Sequence, residues 1–318
     1  MSDSVRTKLQ ASASGQSMRK RQSAKRKKSK KQEQAQKPTV DIQDIEYETE
    51  AVEEHANVLF KPNPGPQTDF LAASEREVLY GGSAGGGKSY AMLADPLRYM
   101  GHPQFSGLLL RHTTEELREL IFKSQELYPK IWPGIKWSER KMQWTAPSGA
   151  RLWMSYLDRD EDVLRYQGLA FSWIGFDELT QWGNPYAWNY MRSRLRSTAP
   201  DLPIFMRATT NPGGRGHHWV KKMFIDPSAY GKAFDATDIE THEILRYPAG
   251  HSKAGKPLFK RRFIPARLSD NPYLSETGDY EAMLLSLPEQ QRRQLLDGDW
   301  DIKEGAAFTE FDRDIHVI

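Results

Sequence analysis

The sequence predicts an α/β protein with a mostly parallel central sheet that is flanked by helices and carries an antiparallel edge hairpin. From about residue 77 onward, short apolar runs alternate with longer amphipathic segments, which is typical of parallel strands covered by helices. A glycine-rich loop follows the first apolar run, and polar residues end two later runs. Ligands of such sheets bind at the edge where the strands end, so these residues are the candidate site.

The first 55 residues have a composition that does not favour a folded core. Residues 1–38 contain twelve Lys and Arg side chains, two acidic side chains and no aromatic ring, and residues 41–54 are acidic. Because so little apolar surface cannot offset the entropy lost on ordering, we predict that residues 1–55 form a disordered arm, basic and then acidic. Clustered Lys and Arg either tether a chain to DNA or to an acidic protein surface, or form a solvated tail. The sequence leaves both interpretations open.

The composition excludes several kinds of chemistry. The chain has no cysteine, so disulfide bonds, thiolate metal sites and a cysteine nucleophile are excluded. Nowhere do about 18 apolar residues run together, as a membrane-spanning helix requires. We therefore expect no membrane partner.

Four apolar runs are the predicted parallel strands, at residues 78–80, 108–111, 173–177 and 204–209. Between the second and third of these runs, residues 141–145 and 150–156 flank a Pro-Ser-Gly turn at residues 147–149. Two short β-prone segments around such a turn predict the antiparallel hairpin on the sheet edge.

The helices are less evident than the strands. Pro96 stands about two turns into the helix expected after the first strand, and it should kink or shorten that helix because it lacks a backbone N–H. Beyond residue 230 the pattern weakens, and the only helix predicted there covers residues 279–296.

A phosphate-binding loop is predicted between the first strand and the helix after it. Its residues fit the pattern of one glycine, any four residues and then Gly-Lys-Ser: Gly82, Ser83, Ala84, Gly85, Gly86, Gly87, Lys88 and Ser89. Glycines let successive backbone N–H groups point at phosphate oxygens. We expect Lys88 to neutralise the β- and γ-phosphates of ATP and the Ser89 hydroxyl to bind Mg²⁺. The alternative is a glycine-rich turn that matches the pattern by chance. The strand predicted before the loop and the helix predicted after it favour the phosphate-binding interpretation.

Two carboxylates, Asp177 and Glu178, end the third predicted strand. We expect Asp177 to hold Mg²⁺ through its water shell and Glu178 to act as a general base toward the attacking water. This pair indicates a hydrolase rather than a kinase, because a kinase must exclude water. The alternative interpretation is an acidic helix cap after an apolar strand.

The fourth strand ends in Thr210 and Asn211, which precede a Pro-Gly-Gly turn. Polar side chains at this position would lie next to the γ-phosphate and could report its loss to the rest of the domain. The competing interpretation is an ordinary strand-ending turn, since Asn-Pro-Gly-Gly favours a turn by itself.

Phosphoryl transfer also needs a cation on the developing charge. Arg165 is the first candidate for this arginine finger, and the other candidates are Arg111, Arg192, Arg194 and Arg196. For each of these arginines, a solvated or ion-paired role is the competing interpretation.

Gln67 either reads the adenine edge through its amide or is a capping or surface glutamine. No carboxylate or thiol lies near His217 and His218 in the sequence at metal-ligand spacing, so we interpret them as structural rather than metal-binding.

Taken together, these motifs resemble those of the large terminase subunit of tailed bacteriophages, from about Pro62 to the end of the chain. Residues 80–89 look like the Walker A motif of that family, and residues 166–168 with 173–180 look like its Walker B region. Residues 210–219 are similar to its coupling motif, and residues 296–300 resemble the segment that closes its motor domain. One departure concerns the arginine finger, because many members place an arginine directly before the glycine that here follows Gln167.

The resemblance implies a P-loop NTPase of the additional-strand, catalytic-Glu class. Residues 56–302 would form the ATPase domain, and residues 303–318 a linker or the start of an RNase H-like nuclease domain. The implied activity is Mg²⁺-dependent ATP hydrolysis that translocates double-stranded DNA into a procapsid. The implied partners are the portal protein, the small terminase subunit and further copies in a ring, in the cytoplasm of the infected bacterial host. Because this sequence ends at Ile318, we expect ATP hydrolysis without DNA cleavage.

Two other functions stay open on the sequence. The chain could be another DNA-dependent P-loop motor, such as a helicase, although no helicase motif follows residue 230. It could also be a nucleotide-gated DNA or capsid adaptor with negligible turnover. Glu178 beside Asp177 disfavours the adaptor, because a mere switch needs no base that activates water.

Overall fold

The computed structural model describes residues 60–302. The predicted arm of residues 1–55 and the predicted linker of residues 303–318 therefore lie outside the described residues. Within the described part of the chain, no helix is long and apolar enough to cross a membrane.

The described residues form one mixed sheet of nine strands in the order β3-β4-β5-β2-β6-β7-β1-β9-β8. Strands β5, β2, β6, β7, β1 and β9 pair in parallel, while β3 and β4 at one end and β8 at the other are added by antiparallel pairing. The bounds are β1 Glu77–Gly82, β2 Ser106–Arg111, β3 Lys136–Ser138, β4 Gln143–Thr145, β5 Arg151–Tyr156, β6 Trp173–Asp177, β7 Phe205–Thr210, β8 Ala233–Asp235 and β9 Lys260–Ala266.

The predicted strands are confirmed as β1, β2, β6 and β7, and the predicted hairpin as β4 with β5. Strand β7 lies between β1, which leads into the phosphate-loop sequence, and β6, which ends in Asp177. This inserted strand defines the additional-strand class that the resemblance implies. The sequence interpretation missed β3, which is the outermost strand at the hairpin end.

Eight α-helices of the described chain are α1 Pro66–Ala72, α2 Lys88–Ala94, α3 Thr114–Ile131, α4 Tyr186–Arg192, α5 His217–Val220, α6 Pro272–Ser275, α7 Asp279–Leu285 and α8 Glu289–Arg292. Short 3₁₀ helices cover Asp95–Tyr99, Asp160–Tyr166, Leu179–Gln181 and Leu268–Asp270. Short π-helical segments cover Lys221–Ile225 and Arg293–Asp297. The longest helix, α3, begins with a capping box in which the Thr113 hydroxyl and the Glu116 carboxylate each accept a backbone N–H of the other residue.

Both faces of the parallel sheet are covered, because successive strand side chains point to opposite sides. On β2, Leu108 and Leu110 pack into one apolar cluster with Phe176 and Met206, whereas Leu109 packs into another with helix α2. The carboxyl ends of the parallel strands are thereby held in fixed positions by two cores.

Proline decides two helix boundaries. Helix α2 ends at Ala94 and continues as a 3₁₀ turn with Pro96 in its first positions, so the predicted shortening is confirmed. The single helix predicted for residues 279–296 is wrong. The chain forms α7, breaks before Pro288, and then forms α8 and a π-turn, because proline cannot continue a helix through its missing N–H.

Candidate active site

The predicted site residues meet at one edge of the sheet. The phosphate loop (residues 82–89) follows β1, Glu178 follows β6, Asn211 follows β7, and Arg111 ends β2. These four strands are parallel, and their neighbours pair in register, with Asp177 opposite Thr209 and Gly81 opposite Thr210. All of these residues therefore lie at the carboxyl edge, where ligands of open α/β sheets bind.

The backbone N–H groups in the second half of the phosphate loop are available to a ligand. Gly85 and Gly87 have φ of 78° and 77°, a left-handed conformation that glycine adopts without steric cost. The N–H groups of residues 85–89 donate to no other group of the described chain. A row of such N–H groups forms an anion-binding concavity, which fits a phosphate chain.

The first half of the loop is tied to the C-terminal third of the described chain. The N–H of Ser83 donates to the Ala266 carbonyl at 2.8 Å, and the N–H of Ala84 donates to the Leu295 carbonyl at 2.6 Å. The Asn271 amide donates to the Gly85 carbonyl at 2.6 Å. Sequence reasoning missed these supports, because they come from the region beyond residue 230 where the pattern is weak.

Lys88 is placed for phosphate binding by its burial. Its side chain is only 6% exposed, and Nζ donates to the Ser83 carbonyl at 2.5 Å. Burial lowers the pKa of Lys88, while Glu178 and Asp177 act in the opposite direction. A buried ammonium is costly without an anionic partner, and bound phosphate would supply one. The Ser89 hydroxyl makes no hydrogen bond within the described residues.

Asp177 is fully buried, and within the described residues only one of its two carboxylate oxygens accepts a hydrogen bond. Its Oδ1 accepts a hydrogen bond from the Thr209 hydroxyl of the neighbouring strand. Its Oδ2 lies 3.2 Å from Arg111 Nε, but the two atoms are not aligned for a hydrogen bond, so Oδ2 has no donor. The ion pair still stabilises the Asp177 charge, because Coulomb attraction depends little on angle. Thr209 was missed by sequence reasoning, although it directly precedes the predicted Thr210.

Asp177 Oδ2, which accepts no hydrogen bond, and the Ser89 hydroxyl are oxygen donors that fit a magnesium ion. Mg²⁺ prefers hard oxygen ligands and keeps most of its ligands as water or phosphate oxygen. Within residues 60–302 there is no cluster of three or more His, Asp or Glu that could hold a metal by protein ligands alone. The available donor set therefore suits an ion that arrives with a nucleotide better than a permanent metal centre.

Glu178 has a left-handed backbone, with φ 60° and ψ 58°. A side chain with a Cβ pays about 1–2 kcal/mol for this conformation, so strong local contacts must hold it. Its Oε2 lies 3.5 Å from the Thr210 hydroxyl and 3.4 Å from the Asn211 backbone N–H. Burial and then the negative charge of Asp177 raise the pKa of Glu178, while Lys88 and Arg111 oppose the rise.

Thr210 connects this carboxylate to the segment after β6. Its hydroxyl lies 2.7 Å from the Thr180 hydroxyl and accepts the Thr180 backbone N–H at 3.2 Å. Thr210 is fully buried, so the contact is shielded from water. The side chain therefore joins the ends of β6 and β7, and the plain-turn interpretation does not account for this contact.

The structure separates the arginine candidates. Only Arg111 comes to the site in the described part of this chain, through its ion pair with Asp177. Arg165 donates to the Tyr156 carbonyl at 2.8 Å at the carboxyl end of β5. That strand is four positions from β1, or about 19 Å at about 4.8 Å per strand. Arg192 pairs with Glu77 at the opposite edge, and Arg194 and Arg196 bond to Ser193 and to backbone carbonyls of residues 168 and 169.

Gln67 is buried at 4% exposure, so the surface interpretation is wrong. Its amide donates to the Gly87 carbonyl at 2.9 Å and accepts the Asn63 N–H at 2.6 Å. It therefore lies beside the phosphate loop, and the adenine contact stays a prediction.

His217 stacks on Trp300 with ring centroids 5.3 Å apart and accepts the Gly213 N–H at 2.8 Å. His218 is exposed.

Fold and site together define a P-loop NTPase of the additional-strand class with a carboxylate pair beyond its phosphate loop. The profile of the family described as "Terminase large subunit, T4likevirus-type, N-terminal" matches residues 79–315, about three quarters of the chain. The chain belongs to this family of phage terminase large subunits. No curated protein matches it.

Similar solved structures come from the large terminase of a thermophilic bacteriophage. Crystal form 2 of that protein has a TM-score of 0.57 at 16% identity and covers 80% of this chain. Its complex with ADP has a TM-score of 0.55 at 16% identity over 80% of this chain, and its complex with ATP-gamma-S 0.54 at 15% over 81%. The chain spans 57% of the length of this phage protein. At this identity the likeness shows the shared fold.

Proposed function

We propose that this chain is the ATP-hydrolysing motor part of a terminase that drives double-stranded DNA into a procapsid. Family membership supports the packaging role, and the ADP and ATP-gamma-S complexes of the thermophilic phage terminase support nucleotide binding on the same fold. The partners would be DNA, the portal protein, the small terminase subunit and further copies of the chain in a ring. The place of action would be the infected host cell.

The observation that carries the proposal is the position of Glu178. The Glu178 carboxylate lies beside Asp177 and is held against the end of β7 by Thr210 and Asn211. Its pKa is raised above the ordinary value for a carboxyl group. A general base works best when its pKa lies closer to the working pH than that of an ordinary carboxyl. A protein that only binds nucleotide gains nothing from such a strained, buried base.

Each of these residues has a proposed role in ATP hydrolysis. The N–H groups of residues 85–89 and the Lys88 ammonium hold the phosphates, and they stabilise charge that develops on them. A bound Mg²⁺, held by Ser89 and Asp177, would neutralise further charge on the phosphate oxygens. Glu178 accepts a proton from the attacking water. Because Glu178 touches Thr210 and Asn211, a change at the γ-phosphate position alters contacts at the end of β7.

Steady-state ATP hydrolysis by the purified chain tests the proposal, measured with and without linear duplex DNA. Lys88→Ala and Glu178→Gln should each lower turnover on the order of a hundredfold, since one removes the phosphate clamp and the other the base. Lys130→Ala and Glu126→Gln are the matched controls, because both side chains are exposed on α3 and lie outside the site. An inactive parent that still binds ATP would favour the adaptor function, and unwinding of a forked duplex would favour a helicase.

A further inference from the structure

The surface between β8 and β9 is distinct from the site described above. Residues 236–259 leave the sheet as an antiparallel extension, in which Leu245 donates to the Ala236 carbonyl at 2.8 Å and Leu258 donates to the Leu245 carbonyl at 2.9 Å. The extension lies beside the amino end of β9, whose Arg261 pairs in register with Glu77 at the start of β1. From Glu77 to Gly82 the strand spans about 17 Å, so the extension lies at the edge opposite the phosphate loop.

The base of the extension is firmly anchored. Arg261 is 1% exposed, donates to the Thr237 carbonyl at 2.7 Å, and pairs with the buried Glu77 carboxylate at 2.7 Å. Arg192 pairs with the same carboxylate from α4. Glu77 keeps a pKa below its ordinary value despite its burial, because both guanidinium groups stabilise its charge. The extension is therefore held to the sheet by a charged and hydrogen-bonded network.

The end of the extension is basic and exposed. We name residues 246–257 the basic tip, because they contain Arg246, Lys253 and Lys256 and no Asp or Glu. Every residue of the basic tip except Tyr247 and Pro257 is exposed. The acidic residues of the extension lie in its other turn, at residues 238–243. Charge is thus segregated within one small extension, although the chain outside the first 38 residues is net negative.

The basic tip is also ordered by its own contacts. Tyr247 and Lys256 are joined by a backbone hydrogen bond of 3.0 Å, and Arg246 donates to the Gly255 carbonyl at 2.8 Å. The Tyr247 ring stacks on His251 at 4.5 Å, so the aromatic surface is used internally. Neither lysine forms an ion pair within the described residues. Preorganised cations lose less entropy on binding than cations on a loose segment.

We propose that the basic tip contacts the phosphate backbone of duplex DNA, an inference that rests on the proposed motor function. Protein interfaces are depleted in Lys and use large apolar or aromatic anchors, and the basic tip offers no free anchor of that kind. Lys and Arg clusters without such anchors are typical of phosphate contacts, which carry no sequence information. A motor that moves along any sequence needs contacts of this type.

The test is the salt dependence of duplex binding by the full chain, followed by fluorescence anisotropy of a labelled duplex. Each phosphate contact contributes about 0.9 to the slope of log K against log salt, so Lys253→Gln with Lys256→Gln should lower the slope by about 1.8. Lys130→Gln with Lys141→Gln is the matched control. Both lysines are also exposed and lie near the opposite end of the sheet, and the two substitutions remove the same charge as those in the basic tip. Replacing Lys253 and Lys256 by Arg should preserve the slope.

The same samples separate this inference from the motor function. ATP hydrolysis without DNA should stay at the parental rate in all these variants, because the basic tip lies at the other edge of the sheet. A parental slope in the Lys253 and Lys256 double variant would overturn the inference and leave an acidic protein as the partner of this charge. An equal fall in the control variant would also overturn it. A parent without ATPase activity would instead refute the proposed function, while the slope comparison still stands.

Discussion

At the scale of single residues, the charge on Arg111 affects the proposed base, Glu178, which follows the neighbouring strand β6. The guanidinium pairs with Asp177 and lowers the pKa of Glu178, against the larger effect of burial. A general base must be ionised to accept a proton, so, if Glu178 has this proposed role, we expect hydrolysis to be lost as the pH falls through its folded pKa. Any change that raises this pKa further moves the loss of activity to higher pH.

We therefore predict that Arg111→Gln shifts the acidic limb of the pH dependence of kcat to higher pH. The profile is measured at saturating ATP, where kcat reports groups of the enzyme–substrate complex. Arg111→Lys keeps the charge and should restore the parental limb in part. Arg118→Gln on the exposed face of α3 should leave the limb unchanged. An unmoved limb in Arg111→Gln, or a shift to lower pH, would contradict the assignment of Glu178 as the base.

How far the sequence predicted the site depends on whether a residue acts within a short motif. Lys88, Ser89, Asp177 and Glu178 each stand at a fixed place in a local pattern, and the structure brings them to one edge. Ser83 bonds to Ala266 across 183 residues, and no local pattern can report such a contact. The pairing of Arg111 with Asp177 likewise depends on the order of strands, which periodicity does not encode.

At the scale of elements, the C-terminal third supports the phosphate loop through close backbone approach. Gly298 has φ 64°, and a Cβ on it would lie 2.7 Å from the Ser83 backbone nitrogen and 3.0 Å from the Gly82 carbonyl carbon. Neither atom belongs to a flexible side chain, so the phosphate loop itself would have to move. The segment of residues 296–300 was noted in the sequence, but its contact with the loop could not be predicted.

We predict that Gly298→Ala weakens ATP binding without touching the nucleotide. The substitution combines a left-handed backbone cost of about 1–2 kcal/mol with a steric cost of about 1–3 kcal/mol. Gly278→Ala is the matched control, because Gly278 has φ 71° and nothing within 4 Å of its Cβ position. Titration of a fluorescent ATP analogue and thermal melting compare the two variants. Equal ATP affinity in both would mean that the contact does not shape the loop.

The short elements after residue 266 explain why the fold was predicted less well there. Helices α6, α7 and α8 have four to seven residues, and the longest stretch is interrupted before Pro288. Elements of this length do not complete enough turns for a periodic apolar pattern. The parallel strands, by contrast, are buried on both faces and appear as short apolar runs in the sequence.

At the scale of the whole molecule, the position of Arg165 bears on assembly. The side chain is exposed at the end of β5, four strands away from β1. An arginine finger at this place cannot serve the phosphate loop of its own chain, so it would have to serve a neighbouring copy. The finger role of Arg165 therefore predicts an active site shared between subunits.

We predict that Arg165→Ala and Lys88→Ala, each poorly active alone, regain ATPase activity when mixed. A neighbouring Lys88→Ala subunit supplies an intact Arg165 to the intact phosphate loop of the other variant. An arginine finger is worth about 10³–10⁵ in kcat, so even partial restoration is measurable. Mixing Lys88→Ala with Glu178→Gln is the control, because both changes disable the same site of one chain. Failure of the first mixture to exceed this control would remove Arg165 as the finger.

The contacts that support the phosphate loop also determine when it can fold during synthesis of the protein. Strand β1 pairs with β7 and β9, and Ser83 and Ala84 bond to the carbonyls of Ala266 and Leu295. A ribosome that adds about 5–20 residues per second needs roughly 10–40 s to proceed from the phosphate loop to Gly298. During that interval the nascent chain already contains the complete phosphate-loop sequence, while its partners are added one after another, β7 first, then β9 and finally Leu295. The phosphate loop is therefore synthesised early but is among the last segments to reach its final conformation.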